Sequence, residues 1–251
     1  MRLRHPFLLA LVVAATAFLS AQEKATSHAW TYEGNEGPSH WGDLKAEYAT
    51  CKIGKHQSPI DIRRAQKADL PAIQFDYQPA ALRIIDNGHT IQINYPEGSS
   101  IRVGEKQYQL KQFHFHKPSE EAINGKHHDM VAHLVHSDAD GNLAVVAVLL
   151  SKGKGNELID QLWKNLPKEK EKESILDNVQ INVASLLPSD HGYYTFPGSL
   201  TTPPCSENVT WYVLKSPMAI SGSEIGKFGS IYPHNARPVQ PVNDRVLQET
   251  K

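Results

Sequence analysis

The chain has 251 residues, 40% of them apolar, which is enough to bury one sizeable core and argues against intrinsic disorder. Its 26 basic and 27 acidic residues give a formal net charge of −1, so a nucleic-acid binder with a basic face is not expected. No apolar run reaches the roughly 18 residues of a membrane span. One count is high for this length: six of the 13 histidines fall between His114 and His136. Histidine is the commonest metal ligand, so this segment is the first place to look for a site.

The first 21 residues are typical of a secretory signal peptide. Arg2 and Arg4 lie in a basic head, residues 7–19 form an apolar stretch too short for a bilayer, and small residues follow up to Ala21. A membrane anchor or a buried helix is the alternative. We expect residues 1–21 to be removed, leaving residues 22–251 as one domain that is exported to the periplasm or the extracellular space.

The two cysteines, Cys51 and Cys205, are too far apart in the sequence to match a zinc-finger spacing. In a protein exported to an oxidising compartment they are best explained as one disulfide. Two buried free thiols are the alternative, because the sequence alone does not show how closely their Cα atoms approach.

Most of the chain is predicted to form short strands separated by Gly, Pro and Asn. Residues 90–95 and 107–116 alternate between apolar and polar side chains, as half-buried strands do. Residues 130–136 and 143–150 are joined by the turn sequence SDADGN, and the second run is rich in Val, like a strand buried on both faces. Residues 209–214 are a further strand.

One helix is clearly indicated, over residues 156–166, where five apolar side chains form a single stripe that ends at Pro167. The Lys- and Glu-rich residues 168–173 are typical of a solvated surface. The fold class is therefore predicted to be predominantly β (α+β). We expect a single domain built on a large central, mostly antiparallel twisted sheet, with a few short peripheral helices.

Three histidines are placed to bind a metal. Side chains two apart on a strand point to the same face, so His114 and His116 project together. His133 lies on the next strand and can complete a set of three nitrogens, whereas His136 has the opposite parity and is expected to be structural. Three neutral imidazoles without a cysteine suit Zn²⁺ with an open fourth position. Taken alone, a His-x-His pair is also compatible with two ordinary strand histidines.

Further motifs resemble the α-class carbonic anhydrases, in their exported bacterial form, from Trp30 to Arg245. In chain order they are QSPID at 57–61, NGH at 87–89, QFHFH at 112–116, PSE at 118–120, HLVH at 133–136, SLTTPPC at 199–205 and NARP at 235–238. The resemblance implies one zinc ion per chain, held by His114, His116 and His133. It implies an enzyme, a carbon–oxygen lyase, that reversibly hydrates carbon dioxide to bicarbonate and a proton.

The resemblance also implies roles around the metal. Thr201 would orient a zinc-bound hydroxide, Glu120 would orient Thr201, and Gln112 would accept the free ring N–H of His114. His89 matches the proton shuttle. The remaining implied positions are Thr202, Val135, Val145, Leu200 and Trp211 for substrate binding, Tyr32 and Asn87 for cavity water, and the Cys51–Cys205 disulfide.

The chemistry explains these residue types. Water has a pKa near 16, and a zinc ion on three neutral ligands lowers it to about 7, the value established for carbonic anhydrases as a class. An ionised Glu120 cannot donate a hydrogen bond, so the Thr201 proton turns toward it and the Thr201 oxygen is left to accept from hydroxide. An imidazole such as His89 can export the proton. Sulfonamides and anions are expected to inhibit, and a monomer or homodimer is expected.

Two positions depart from the family's pattern. Many members have Glu two residues before the third zinc ligand, where it accepts the ring N–H, and this chain has Val131. The N–H of His133 would then need a backbone carbonyl or a trapped water, so weaker or faster-exchanging zinc is expected. Glu121 stands where relatives often have His or Asn, and it is interpreted as a difference at the rim of the site.

Two other functions are compatible with parts of the pattern. The spacing His114-x-His116-x₃-Glu120 also fits the first half of a cupin metal motif, in which Glu120 would bind iron or manganese. A catalytically silent, carbonic-anhydrase-like binding protein is the second. His89 could also be only a turn residue, and Glu120 a solvated loop carboxylate.

Overall fold

The computed structural model describes residues 30–251, so the predicted signal peptide, residues 1–21, lies outside the described residues. Within residues 30–251, no helix is long and apolar enough to cross a membrane. This part of the chain is mostly β-structure with a few short helices, and it confirms the fold class predicted from the sequence.

The strands are numbered in chain order. They are β1 (Asp61–Ile62), β2 (Gln66–Ala68), β3 (Ile73–Asp76), β4 (Ala80–Asp86), β5 (Ile91–Asn94), β6 (Ser100–Val103), β7 (Lys106–His116), β8 (Ala122–Ile123), β9 (Lys126–His127), β10 (Met130–Ser137), β11 (Leu143–Lys152), β12 (Ser174–Ile181), β13 (Tyr193–Ser199), β14 (Glu207–Leu214), β15 (Met218–Ile220) and β16 (Gln248–Thr250).

The helices are short and lie at the periphery. The α-helices are α1 (Trp41–Leu44), α2 (Thr50–Ile53), α3 (Glu157–Lys164) and α4 (Gly222–Gly229), and single 3₁₀ turns cover Gly34–Glu36, Ala46–Tyr48 and Val183–Leu186.

One large mixed sheet forms the frame, in the order β12-β4-β5-β7-β10-β11-β14-β13-β16-β2. Most neighbours in it are antiparallel, including β7 with β10 and β10 with β11. β11 pairs in parallel with β14 and β15, and β16 with β2. A small second sheet joins β1, β8 and β9. The site strands β7 and β10 therefore lie in the middle of the large sheet, where neighbours on both sides hold them.

Alternate residues of the central strands face opposite sides of this sheet. One side carries the larger apolar core, which includes Phe113, Phe115 and Leu134 and packs against α3. The other side carries the three candidate ligands and a smaller apolar cluster that includes Val145 and Trp211. The strand period thus separates the packing residues from the residues that form the site.

The predicted central elements are confirmed. The strands expected at 90–95, 107–116, 130–136, 143–150 and 209–214 appear as β5, β7, β10, β11 and β14, with ends that differ by one or two residues. The predicted helix appears as α3, where the Asn156 side chain caps the first turn by accepting backbone N–H bonds.

Helix α4 was not predicted, because three glycines within it lower its helix propensity. The signal that could have indicated it is the capping box of Ser221 and Glu224.

His136 is structural, as its parity predicts. A β-bulge after Val135 shifts the pairing of β10 with β7, and the buried His136 ring lies against the core. Its Nε2 is 2.9 Å from the Tyr77 hydroxyl. Burial lowers the pKa of His136 to about 3, so the ring is neutral at physiological pH.

Candidate active site

The register of two strands brings the three histidines together. His114 on β7 lies directly opposite His133 on β10, and His116 lies opposite Val131. One nitrogen from each of the three rings lies within 4.8 Å of the corresponding nitrogens of the other two. Glu120 is not part of this group, so the donor set is three imidazoles rather than the His–Glu set of a cupin.

In each ring, one N–H group donates a hydrogen bond to a protein acceptor. The other ring nitrogen is therefore the one that faces the cluster. The Nδ1–H of His114 donates to Gln112 Oε1 over 2.8 Å, and that of His116 donates to the backbone oxygen of Asn235 over 2.7 Å. The Nε2 of His133 is 3.0 Å from Glu121 Oε1. Gln112 Oε1 therefore lies against the His114 ring, and in neutral rings the three nitrogens left facing one another carry lone pairs.

Burial keeps two of the three rings neutral. It lowers the pKa of His114 to about 3, with a smaller contribution from the charge of His133. Burial, followed by the charges of His133 and His114, holds the pKa of His116 well below its usual value. Burial also opposes protonation of His133, but the charge and hydrogen bond of Glu121, with the charge of Glu120, raise its pKa.

The interpretation of Glu121 as a rim residue is wrong. Its side chain is fully buried, and both carboxylate oxygens lie close to His133 Nε2, at 3.0 and 3.3 Å. The acceptor for His133 is therefore a side-chain carboxylate rather than a backbone carbonyl or a trapped water. The expectation of weaker zinc, which assumed that no carboxylate was available, loses its basis.

Glu120 precedes Glu121 in the connection between β7 and β8, and its side chain also lies beside the histidine cluster. It is also fully buried, which corrects the alternative of a solvated loop carboxylate. Its Oε1 accepts from the backbone N–H of Arg237 over 2.7 Å, while its Oε2 lies 3.5 Å from His116 Nε2. Burial raises the pKa of Glu120 to about 7, and the charge of His133 and the nearby Thr201 hydroxyl oppose this rise. Thr201 therefore lies near Glu120, and among the described residues Glu120 Oε2 has no hydrogen-bond partner.

The residues assigned to substrate binding line one cavity of about 230 Å³ beside the cluster. They are Val135, Val145, Leu200 and Trp211, together with Thr201, Thr202 and the rings of His114 and His133. Val145 pairs across the sheet with Trp211, so this wall is built from neighbouring strands. Gly198 leaves room for the indole, because a Cβ there would lie 2.7 Å from Trp211 Cδ1.

A second cavity of about 120 Å³ holds the predicted polar residues. Tyr32, Asn87 and His89 line it with Trp30, and it shares Gln112, His114 and Thr202 with the apolar cavity. The two cavities therefore meet at the cluster, one polar and the other largely apolar.

His89 lies between the polar cavity and a wider opening of about 430 Å³, which Tyr232 and His234 also line. Its ring stacks on Trp30 with centroids 3.7 Å apart. The turn that carries it is built by Asn87, whose Oδ1 accepts from the backbone N–H groups of His89 and Thr90. Asn87 is thus a turn-forming residue as well as a cavity residue.

A buried hydrogen-bond network that sequence reasoning did not assign supports the loops around the site. The buried Arg237 guanidinium donates to Gln57 Oε1 and to the backbone oxygens of Ser58 and Cys51. Gln57 in turn donates to the oxygen of Cys205. The QSPID and NARP motifs were quoted for their resemblance only, and this network gives them a physical role in supporting the turn that carries Thr201.

The predicted disulfide is confirmed, since Cys51 and Cys205 are bonded with their Cα atoms 5.0 Å apart. Cys205 has a left-handed backbone conformation, φ 57°, at the end of the Thr-Thr-Pro-Pro turn. The bond therefore ties this turn to α2.

Comparison with known proteins agrees with this arrangement. Residues 36–251 match the family model described as eukaryotic-type carbonic anhydrase. A carbonic anhydrase of Nostoc sp. is 41% identical over 250 residues, covering 96% of this chain and 95% of the relative.

Solved structures give the same result. A hyperthermostable carbonic anhydrase from an active hydrothermal vent chimney has a TM-score of 0.86 and 48% identity, covering 88% of this chain and 100% of that one. The α-carbonic anhydrase from Thermovibrio ammonificans, in complex with the inhibitor sulfanilamide, has a TM-score of 0.84 and 44% identity, covering 88% and 98%. With its three-histidine cluster, its fold and these matches along nearly its whole length, the chain belongs to the α-carbonic anhydrase family of carbon–oxygen lyases.

Proposed function

We propose that this enzyme hydrates carbon dioxide reversibly at a zinc site formed by His114, His116 and His133. The observation that carries the proposal is the convergence of three imidazole nitrogens whose partner nitrogens are all held by acceptors. Among the described residues, the buried His116 Nε2 has no hydrogen-bond partner. A buried polar atom of this kind is costly unless something binds it, and a metal is the ligand that fits.

Zinc fits this donor set. Three neutral nitrogens leave the ion its full charge and an open coordination position, whereas thiolates would reduce that charge. When bound, zinc supplies the acidity that makes hydroxide available from water near neutral pH. The same positive charge would favour the ionised form of Glu120, since an opposite charge nearby lowers the pKa of a carboxyl group.

Thr201 and Glu120 orient the nucleophile in this proposal. The backbone N–H of Arg237 donates to Glu120 Oε1, which leaves Oε2, 3.5 Å from His116 Nε2, as the oxygen available to accept from Thr201. An ionised carboxylate only accepts, which turns the Thr201 proton toward Glu120. The Thr201 oxygen then accepts a hydrogen bond from the nucleophile, which orients a lone pair of the nucleophile toward the substrate.

The apolar cavity provides the place for carbon dioxide. The substrate has no net charge or dipole, so an apolar wall of Val135, Val145, Leu200 and Trp211 holds it better than a charged group would. Thr202 lines both cavities. The product bicarbonate is an anion, and an apolar wall gives it no counter-charge.

His89 exports the proton in this proposal. It lines both the polar cavity and the outer opening, so one ring can receive a proton from cavity water and release it outside. The ordinary pKa of histidine, near 6.5, suits transfer in both directions at neutral pH. Tyr32 and Asn87 line the same cavity and are proposed to order its water.

The main test is stopped-flow measurement of carbon dioxide hydration on the zinc-loaded protein, with and without a chelator and a sulfonamide. We expect activity that is lost with the metal and blocked by the sulfonamide, as in the sulfanilamide-bound relative. His116→Ala should abolish activity and zinc retention. His127→Ala is the matched control, because this exposed histidine lies in the same stretch of sequence and outside the cluster. A zinc-loaded protein without hydration activity would contradict the proposal and favour a silent binding protein.

The shuttle role of His89 has its own test. His89→Ala should lower kcat more than kcat/KM, and imidazole buffer should restore the loss. His234→Ala is the control, because His234 lines only the outer opening. Equal losses of both kinetic constants, without rescue, would reject the role.

Export is part of the same proposal. The Cys51–Cys205 disulfide supports it, because such bonds persist in oxidising compartments. N-terminal sequencing of the protein from the periplasm or medium should show a chain that begins near residue 22. A full-length chain recovered from the cytoplasm would contradict export.

A further inference from the structure

Glu121 is a buried carboxylate for which the proposed reaction has no direct use. It lies between β7 and β8, and its side chain is 0% exposed. The segment is held firmly: the Ser119 hydroxyl donates to the Glu121 backbone oxygen over 2.7 Å, and Ala122 pairs with Asp61 in the small sheet. A buried carboxyl group needs a hydrogen-bond partner, and among the described residues His133 Nε2 lies within hydrogen-bond distance of it.

The strand itself offers His133 no acceptor. Val131, two residues before His133 on β10, is the strand neighbour on the same face, and it is fully buried in the smaller apolar cluster. The ring N–H of a metal-binding histidine ordinarily needs an acceptor that fixes its orientation and its tautomer. In this chain that acceptor comes from outside the strand.

We propose that Glu121 is the positioning residue for His133: its carboxylate accepts the Nε2–H bond and so directs Nδ1 to the metal, in place of an acceptor at position 131. The inference rests on the proposed zinc site. Glu121 cannot itself be the ligand, because it lies at Nε2, whereas Nδ1 is the nitrogen left to face the cluster. Of the two adjacent carboxylates, Glu120 is thus proposed to accept from Thr201 and Glu121 from His133.

If this is so, the carboxylate that accepts from His133 can be moved from position 121 to position 131 by mutation. Glu121→Met keeps the length of the side chain and removes the acceptor. The double variant Glu121→Ala with Val131→Glu removes the carboxylate from its present place and returns one to the strand, on the same face as His133. The control is Glu224→Gln, which alters another buried carboxylate that caps α4 and does not touch the cluster.

The readouts are the rate of zinc release to excess chelator and the ¹⁵N–¹H signal of the His133 ring in the zinc-loaded protein. We expect the wild type to show a proton on Nε2, Glu121→Met to release zinc about 10–100-fold faster, and Glu224→Gln to release it at the wild-type rate. The double variant should recover the Nε2–H signal and release zinc within about threefold of the wild type, on the same scale.

Three results would overturn the inference. One is a wild-type protein that carries the proton on Nδ1, a measurement that needs no variant to fold. Another is a folded Glu121→Met protein that releases zinc at the wild-type rate. The third is a double variant that shows the Nε2–H bond and still releases zinc as fast as Glu121→Met. A wild type that holds zinc but does not hydrate carbon dioxide contradicts the proposed function alone, and the release rates still decide the role of Glu121.

Discussion

Removing the disulfide should cost this enzyme a large part of its stability. Cys51 and Cys205 are separated by 154 positions, so the bond closes most of the described chain into one loop. Loop-closure entropy for that length is about 17 cal/mol/K, which corresponds to about 5 kcal/mol at 25 °C. This is an upper figure, because the denatured chain retains some structure. The reduced protein should therefore unfold at a temperature about 10–20 °C lower.

The assay is reversible urea unfolding of the wild type and of the Cys51→Ala/Cys205→Ala variant, each with and without a thiol reductant. Alanine is chosen because Cys205 is fully buried and a serine there would bury a hydroxyl group. The reductant should lower the free energy of unfolding of the wild type and leave that of the variant unchanged. If reduction changes the wild-type value by less than about 1 kcal/mol, the loop-entropy argument is refuted.

A loss of structure near the active site is a separate effect, and it can be measured in the same proteins. The turn that carries Thr201 ends at Cys205, and the Cys51 backbone oxygen accepts from Arg237 Nη2. If the turn loosens when the bond is absent, kcat should fall at temperatures well below unfolding. An unchanged kcat with reduced stability would show that Arg237 and Gln57 hold the turn without the disulfide.

Three further predictions concern the cavity, the core and a hydrogen-bond hub. Val145→Tyr should fill the apolar cavity and lower kcat/KM for carbon dioxide about tenfold or more with zinc content unchanged, and a wild-type rate would show that the substrate does not use this wall. The pKa of His136 is about 3 in the fold and near 6.5 in the unfolded chain, so the unfolded state binds the proton between these values and stability falls as pH drops through this window. His136→Gln, which can still pair with Tyr77, should flatten that fall in urea titrations by up to about 1.4 kcal/mol per pH unit, and parallel slopes would argue against it. Asn235→Ala should cost about 2 kcal/mol, because the side chain accepts from the Lys117 N–H and donates two further bonds, and an unchanged unfolding midpoint would contradict this.

Much of the site could be predicted because strand geometry is local. The alternation of residues 107–116 places His114 and His116 on one face and Phe113 and Phe115 on the other, and β7 has this arrangement. The SDADGN turn makes β10 and β11 neighbours, which leaves β10 free to pair with β7 on its other side. The parity of His136 likewise predicted that it is not a ligand. These inferences need only the period of a strand and short-range pairing.

The support behind the site could not be predicted in this way. The Arg237 side chain reaches backbone oxygens near the other end of the described chain, and its backbone N–H holds Glu120. No periodic pattern connects residues so far apart in sequence. The motifs that carried the family resemblance marked these places without showing what they do.

The sequence by itself predicted the cluster of three histidines, the sheet that carries it and the pairing of the two cysteines. Each of these follows from local period, from residue type or from the family's motifs. Only the tertiary structure decided which residue accepts the hydrogen bond from the His133 ring. Glu121 and His133 are 12 positions apart, on a connecting segment and a strand, and their contact depends on how the small sheet docks against the large one. Because docking is a long-range packing event, a residue that local reasoning places at the rim becomes a buried hydrogen-bond partner of His133.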